Sequence, residues 1–433
     1  MRFHVYLLII VMLCCIDNAH SNEPSPKARR ITLAEAVTRA VAQNPSLAAM
    51  GHRVDADAAR LQGREGVPNP ALSVDIEDIA GSGAAKGVEA MQVTTALSQD
   101  IPLGGRVGAL RRLNQTRQSV SAMDRQIAEQ SLIADVALAY LRVLTEQRRL
   151  ANAEEMMSLA DETVQSISFQ VEAGRATEIE VDKAAVVLSL AKLDKARIRR
   201  ELTIAKQRLA TECGDREPIF DIAVGTLDHI APLPDREALL DRIDRHPSLL
   251  SRTAKLRYEQ AILNLEKANR VPDLSVSLGY RWLNASKDSA LVAAVSVPLP
   301  FADRNVGNIG AATHEVRRAE KEGEQERNLL FRFIAASYER LAAQHERATV
   351  LTKEVYPKVL ATYQAIAEGY RIGRFGYLDL LDAQRTLFEV KEQTLEALVA
   401  YHDMAILLNR TAALTIKATT FDPLSSAKKG VIR

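Results

Sequence analysis

The sequence predicts a mainly α-helical protein with a transmembrane β part, and three observations lead to this fold class. A unit of about 200 residues occurs twice along the chain. Each unit contains two stretches in which apolar and polar residues alternate, a pattern typical of strands with one apolar face. Each then continues into about 65 residues with few Gly and almost no Pro, which predicts a helix of roughly 100 Å.

Composition and charge exclude several classes of protein. The 433 residues are 47% apolar and 26% charged, which is typical of folded proteins and not of disordered chains. Lys and Arg total 56 and Asp and Glu total 55, so the net charge is +1 and no basic field points to nucleic acid as a partner. Since no run of about 20 apolar residues occurs, an α-helical membrane span is not expected.

Residues 1–21 have the pattern of a secretory signal peptide. A basic start precedes the apolar run 5–16, which is too short to span a membrane, and small residues follow at a cleavage site. An N-terminal anchor, or lipidation at Cys14 or Cys15, remains an alternative. Cleavage would leave only Cys213, so the exported chain would contain no internal disulfide bond.

The internal repeat sets the domain organisation. Matching segments recur in the same order in both halves, namely 44–47 with 246–249, 70–74 with 272–276, 101–103 with 297–299, and 174–175 with 373–374. Chance explains one such match but not several in order. We therefore expect a first unit at 22–213, a linker at 214–234, a second unit at 235–413 and a polar C-terminal tail at 414–433.

Each unit predicts the same series of elements. A helix comes first, at about 46–67 and 248–270, followed by a β-hairpin at about 70–102 and 272–300. The long helices then occupy about 106–172 and 306–370, and return helices follow at about 177–212 and 377–412. Between long and return helices the chain must reverse at Gly174 and Gly373. Pro357 is expected to kink the second long helix.

The predicted strands determine how many chains a pore would need. Runs of about ten alternating residues suit tilted membrane strands, although an ordinary water-soluble sheet gives a similar pattern. Four strands cannot close a membrane barrel, and an open edge in lipid leaves backbone groups without hydrogen bonds. If the strands cross a membrane, identical chains must therefore build the barrel together.

Two motifs carry a resemblance to a known family. Tyr-Arg-Ile-Gly at 370–373, followed by Leu-Asp-Leu-Leu-Asp-Ala at 378–383, resembles the TolC family of outer-membrane efflux proteins. The run Ser-Gln-Asp-Ile-Pro-Leu-Gly-Gly-Arg at 98–106 is similar to the CzcC-like branch, which serves heavy-metal pumps of the resistance-nodulation-division type. The resemblance covers about 31–413, nearly the whole mature chain.

The resemblance implies an assembly and a location. It implies a TolC-like homotrimer, with a twelve-strand β-barrel in the lipid of the outer membrane and a trimeric α-barrel of long coiled helical hairpins in the periplasm. It further implies that a periplasmic adaptor (membrane fusion) protein and an inner-membrane resistance-nodulation-division pump dock at the helical tips. The expected function is the exit duct of a tripartite efflux pump for heavy-metal cations.

Other functions remain open from the sequence. A duct of this kind could serve organic-compound efflux or type I secretion. A periplasmic coiled-coil adaptor, a different class of protein, would explain the helical hairpins but not the four amphipathic strands. An enzyme would need a convergent acid–base or metal cluster, and the scattered histidines show no paired spacing. We therefore expect no catalytic residue, metal site or cofactor.

Two aspartates are the first candidate site. Asp379 and Asp382 share one helix face just after the second chain reversal, and a trimer would turn each into a ring of three carboxylates that attracts cations. In similar proteins, aspartates at these positions line the periplasmic aperture. The alternative is that acidic residues in a first helical turn only interact with the helix dipole.

The resemblance also implies a latch at the aperture and contact residues at the tips. The acid of the latch matches Glu180 and its tyrosine matches Tyr370, whereas Phe375 occupies the position of its arginine, which Arg371 or Arg374 would have to replace. The expected adaptor contacts are Gly174, Arg175, Gly373 and Arg374. A purely structural role, with Gly in a left-handed turn and Arg near helix carbonyls, is the alternative for these four residues.

Overall fold

The structure is a computed structural model that describes residues 29–62, 66–301 and 303–412. The expected signal peptide, the lipidation alternative at Cys14 or Cys15, and the C-terminal tail lie outside the described residues. No helix of the described ranges is both long and apolar enough to cross a membrane.

The first half contains two short helices, a hairpin, a long helix and a return helix. In chain order its elements are β1 (Arg30–Ile31), α1 (Leu33–Gln43), α2 (Pro45–Gln62), β2 (Ala71–Glu77), β3 (Gln92–Ile101), α3 (Arg106–Glu172), α4 (Glu178–Glu212) and β4 (Ile222–Ala223). The long helix α3 has the bounds expected from the sequence, and α4 begins one residue later than expected.

The second half repeats this series. Its elements are α5 (Arg236–Leu240), α6 (Pro247–Ala268), β5 (Leu274–Leu283), β6 (Asp288–Ser296), α7 (Val306–Val350), a π-helical turn (Leu351–Val355), α8 (Tyr356–Arg371) and α9 (Tyr377–Thr411). The four predicted strands and the two return helices are all present.

The start of the first unit differs from the expectation. Helix α1, which the sequence analysis missed, begins at a capping box formed by Thr32 and Glu35. Pro45 disfavours helical geometry at Asn44, which is extended, and this separates α1 from α2. The expected end of α2 at residue 67 was wrong, because the helix ends at Gln62 and Gly66 takes a left-handed conformation with φ of 90°.

Pro357 follows the π-helical turn in the second long helix. A proline removes one helical hydrogen bond, and its ring crowds the carbonyl group one turn earlier. The wider π turn at Leu351–Val355 lies where that crowding would occur, so the chain stays helical from α7 into α8. The irregularity expected from Pro357 therefore takes the form of a π turn.

The hairpins of the two units join into one antiparallel sheet with the strand order β2-β3-β5-β6. In its register Leu97 lies opposite both Leu72 and Leu278, and paired residues of neighbouring strands point to the same face. We call this face the apolar sheet face; its other exposed large apolar members are Val74, Ile76, Ile101, Tyr280, Trp282, Leu291 and Val295.

The opposite face of the sheet is polar. The Arg281 guanidinium lies 3.7 Å from the Glu77 carboxylate and donates a hydrogen bond to the Thr94 hydroxyl at 2.9 Å. Ser275 donates to the Asp100 carboxylate on the neighbouring strand. One face suited to lipid and one suited to water is the pattern of a membrane barrel wall. Strands β2 and β6 are the edges of the sheet.

Helix α3 connects the two ends of the molecule. Near its start it contacts α2 and α6, and further along it packs against α4 and α9. At the middle, the buried hydroxyl of Tyr140 lies 3.0 Å from the Ile31 carbonyl oxygen and 2.6 Å from that of Val224. These contacts tie α3 to the parallel pair β1 and β4, which the sequence analysis did not predict. The main core surrounds this junction.

Candidate functional site

The two helical hairpins reverse by the same backbone mechanism. Gly174 and Gly373 take left-handed conformations with φ of 70° and 78°. The Arg175 amide donates to the Gln170 carbonyl and the Arg374 amide donates to the Gly369 carbonyl, both at 2.8 Å. These bonds satisfy carbonyl groups at the ends of α3 and α8, as in a Schellman motif. Both glycines therefore have the structural role in a left-handed turn that was the alternative for them, whereas their contact with an adaptor stays a prediction.

Glu180 and Asp379 perform equivalent tasks in the two units. The Glu180 carboxylate accepts a hydrogen bond from the Thr177 amide at 3.0 Å, and the Asp379 carboxylate accepts one from the Gly376 amide at 2.9 Å. Each carboxylate thus satisfies an amide group at the start of its return helix and interacts favourably with the helix dipole. This local role is compatible with a position at an aperture, and that position stays a prediction.

Asp382 lies on the surface of α9, where it forms an ion pair with Arg385 at 2.8 Å. Both side chains are largely exposed, at 67% and 70% respectively. The pair therefore contributes little to stability, and the guanidinium offsets part of the negative charge that Asp382 would bring to a carboxylate ring.

Tyr370 bonds to a residue that the sequence analysis did not single out. Its hydroxyl accepts a hydrogen bond from the Gln170 side chain at 3.0 Å, which joins α8 to α3. Glu180 is engaged with Thr177 instead. The expected latch between Glu180 and Tyr370 stays a prediction, and in this conformation both groups have other partners.

Tyr377 packs in the same small core as Tyr370. Its side chain is buried in a small core at the tips, and its hydroxyl has no hydrogen-bond partner in the described part of the chain. Burial raises the pKa of Tyr377, and the nearby Tyr370 and Glu180 raise it further. Glu180, Tyr370 and Tyr377 thus form one cluster, in which the Tyr377 hydroxyl is free to accept or donate.

Phe375 packs directly onto Gly369. A Cβ atom placed on Gly369 would come within 2.3 Å of the phenyl ring, so any larger residue here requires the ring to move. The Arg374 guanidinium lies 6.0 Å from the centre of the same ring, and Arg371 pairs with Glu368 on its own helix. Phe375 therefore makes an apolar contact at the position where the resemblance implies an arginine.

A second polar contact joins the hairpins further from the tips. The Gln384 side chain of α9 donates to the Thr163 hydroxyl of α3 at 3.2 Å, and both residues are buried. This pairing depends on a contact between segments of different units. Within the described ranges, no group of three His, Cys, Asp or Glu side chains is placed to hold a metal ion.

Comparisons with known proteins agree with this architecture. The family model of the outer membrane efflux proteins matches residues 36–215 and 240–412. The cobalt-zinc-cadmium resistance protein CzcC of Cupriavidus metallidurans is 29% identical over 89% of this chain and 91% of that protein. The nickel and cobalt resistance protein CnrC of the same organism is 26% identical over 70% of each chain.

A solved structure shows the same fold. The outer-membrane channel OprN superposes with a TM-score of 0.74 at 21% identity, covering 95% of this chain and 98% of that one. The expected resemblance to the TolC family is thus confirmed, as are the location in the outer membrane with an extension into the periplasm and the absence of an enzymatic role. The chain belongs to the outer membrane efflux protein family, whose members are export channels.

Proposed function

We propose that this protein is the exit duct of a tripartite pump that exports heavy-metal cations. The observation that carries the proposal is the 29% identity to a cobalt-zinc-cadmium resistance protein, which extends over nearly the full length of both chains. The absence of a cation-binding cluster in the described residues is compatible with a duct, because tight binding would slow release.

The proposed assembly is a homotrimer, supported by the two open edges of the sheet. In lipid, the unpaired backbone groups of β2 and β6 would each cost several kcal/mol. Pairing β6 of one copy with β2 of the next removes both edges, and three copies of the four-stranded sheet give the twelve-strand barrel that the resemblance implies.

The helical part also has two free edges. Helix α4 packs against α3 and α8 packs against α9, so the outer faces of α4 and α8 stay open within one chain. The open face of α4 carries an apolar stripe at coiled-coil spacing, namely Ile179, Val186, Leu190 and Leu193, all at least 58% exposed. The open face of α8 offers small side chains at Ala361 and Ala365. We propose that the stripe of one copy packs against α8 of the next.

The hairpin tips form the proposed aperture and docking site. Asp379 and Asp382 would line the pore, while Glu180, Tyr370 and the adjacent Tyr377 would hold its resting state. The exposed residues Gly174, Arg175, Gly373 and Arg374 would contact the periplasmic adaptor, which connects the duct to an inner-membrane resistance-nodulation-division pump.

A deletion strain tests the exported substrate. We expect lower tolerance of zinc, cobalt or cadmium, restored by the wild-type gene, with unchanged tolerance of organic solvents and antibiotics. A strain that becomes sensitive only to organic compounds would overturn the metal proposal and favour the alternative duct function.

Planar lipid bilayers test the aperture directly. Asp379→Asn with Asp382→Asn should reduce the preference of the channel for cations, whereas Glu217→Gln, an exposed acid in the segment after α4, should not.

In the same bilayers, Glu180→Ala with Tyr370→Phe should raise single-channel conductance. Unchanged conductance in the double variant would count against the latch.

A further inference from the structure

The segment that follows β6 exposes large apolar side chains just outside the sheet. Strand β6 ends at Ser296, and within a single chain Leu299 and Phe301 are 68% and 79% exposed. The matching segment of the first unit is shorter, because helix α3 starts soon after Leu103, which is 37% exposed. The second unit therefore has an additional exposed apolar surface, formed by Leu299 and Phe301, which we call the apolar ledge.

Two arginines border the ledge. Arg270, just before β5, and Arg304, just before α7, line one concavity of about 310 Å³ together with Leu299, Pro300 and Phe301. The described residues include no ion pair for either guanidinium. The first unit differs here, because the arginine at the start of α3, Arg106, forms an ion pair with Asp273 at 2.7 Å.

Two acidic groups close in sequence to these arginines have hydrogen-bond partners. The Asp303 carboxylate accepts the Asn305 amide at 2.8 Å, and the Glu266 carboxylate accepts the Asn305 side chain at 2.7 Å. With no ion pair among the described residues, the two arginines can bind an anion. Guanidinium groups beside exposed aliphatic and aromatic side chains suit a molecule that combines a phosphate with hydrocarbon.

The position of the concavity favours a lipid. In the proposed trimeric barrel, on which this inference rests, the apolar sheet face lies against the hydrocarbon of the outer membrane, and the ledge continues from its periplasmic end, where β5 begins and β6 ends. Lipid headgroups lie at this boundary. We propose that Arg270 and Arg304 bind the phosphate of a glycerophospholipid in the periplasmic leaflet, with its acyl chains against Leu299 and Phe301.

Native mass spectrometry of the full-length, delipidated protein in detergent tests this site. Dioleoylphosphatidylglycerol is the probe, and dioleoylglycerol and inorganic phosphate are the two comparison ligands. Arg270→Gln with Arg304→Gln should weaken lipid binding by about fivefold for each arginine, and Phe301→Ser should weaken it further. Arg199→Gln with Arg200→Gln, the same charge change on the exposed surface of α4, should leave binding unchanged.

The comparison ligands separate the sources of affinity. Weak binding of both dioleoylglycerol and inorganic phosphate supports a site that needs phosphate and chains together. Equal binding of dioleoylglycerol, or displacement of the lipid by inorganic phosphate at matched concentration, would overturn the proposal. The double lysine variant, Arg270→Lys with Arg304→Lys, should retain binding, which separates loss of charge from loss of folding. Wild-type affinity in the glutamine variant would also overturn it.

Discussion

The two hairpin tips share one backbone and differ in their side chains. Both reverse through a left-handed glycine, and both return helices begin with a carboxylate bound to a backbone amide. With this common backbone, the two tips place their larger side chain at different positions. Gln170 and Ala176 of the first tip correspond to Gly369 and Phe375 of the second, so the large residue lies on opposite sides of the turn.

The return helices differ in a similar way. The apolar stripe residues Val186, Leu190 and Leu193 of α4 correspond to Arg385, Glu389 and Glu392 of α9. Helix α9 already packs between α3 and the α7–α8 helix, whereas among the described elements α4 has only α3 as a major neighbour. Both copies of the unit thus share the same backbone turn. The outer faces of their return helices differ, because each helix contacts different neighbours.

The largest effect is expected from giving α4 the charges of α9. Val186→Arg with Leu190→Glu and Leu193→Glu should abolish the proposed homotrimer, since a single uncompensated buried charge costs about 3–5 kcal/mol. Light scattering of detergent-purified protein measures the assembly. Lys192→Glu, at an exposed site of the same helix, is the control and should remain trimeric. A trimeric triple variant would show that this stripe is not the seam.

The next effect is expected at the Phe375 contact. Gly369→Ala should destabilise the second tip by about 1–3 kcal/mol, because the new methyl group overlaps the phenyl ring and the ring must move. Phe375→Ala in addition should restore much of the loss. Hydrogen exchange of amides 370–376 measures local opening. If Gly369→Ala alone strengthened protection, helix propensity would outweigh the clash and the packing argument would be wrong.

The capping carboxylates should have smaller and equal effects. Glu180→Gln and Asp379→Asn should each lower the stability of their own tip by about 0.5–1 kcal/mol, because each weakens a charged cap. Glu178→Gln removes a charge from the same first turn without touching the cap bond and separates the two contributions. Unequal losses in the two tips, read by hydrogen exchange, would contradict their equivalence.

The smallest effect concerns equivalent caps at the other end of the units. The Asn44 side chain accepts a hydrogen bond from the Ser46 amide at 2.9 Å, and the His246 ring accepts one from the Ser248 amide at 3.1 Å. Burial lowers the pKa of His246 below its usual value of about 6.5, although Glu326 and the carbonyl groups of residues 410 and 411 act in the opposite direction.

The sign of the pH effect follows from this shift. Above about pH 6.5 the ring is neutral in both folded and unfolded chains and contributes no pH dependence. As the pH falls below that value the unfolded chain binds the proton first, so the free energy of unfolding decreases. His246→Asn should remove this decrease, and Asn44→His, at a half-buried position, should add a smaller one. Denaturant unfolding between pH 5 and 8 measures both, and a pH profile that His246→Asn leaves unchanged would contradict the assignment.

Much of this fold was visible in the sequence. The bounds of α3, the four strands and the two reversals followed from local periodicity and from glycine, because long regular segments impose their own pattern over many residues. Helix α1 carried a local signal as well, in the capping box of Thr32 and Glu35, but it was overlooked. The β1–β4 pair had no comparable signal, since each strand is only two residues long.

The candidate site was only partly predictable. Glu180, Tyr370 and Asp379 came from motif resemblance, and the structure brings the first two close to Tyr377. The pairs Gln170–Tyr370 and Thr163–Gln384 join residues of different units. No local pattern records which side chains meet across such a distance along the chain.

The sequence by itself determined the duplicated α and β elements and the glycine turns, because these depend on short-range sterics and on periodic burial of apolar residues. The tertiary structure decided how the two hairpins join into one sheet, which residues pair across the tips, and that Phe375 stacks on Gly369. Those choices depend on the packing of segments far apart in the chain, where shape and hydrogen-bond partners are fixed only once both units have folded together.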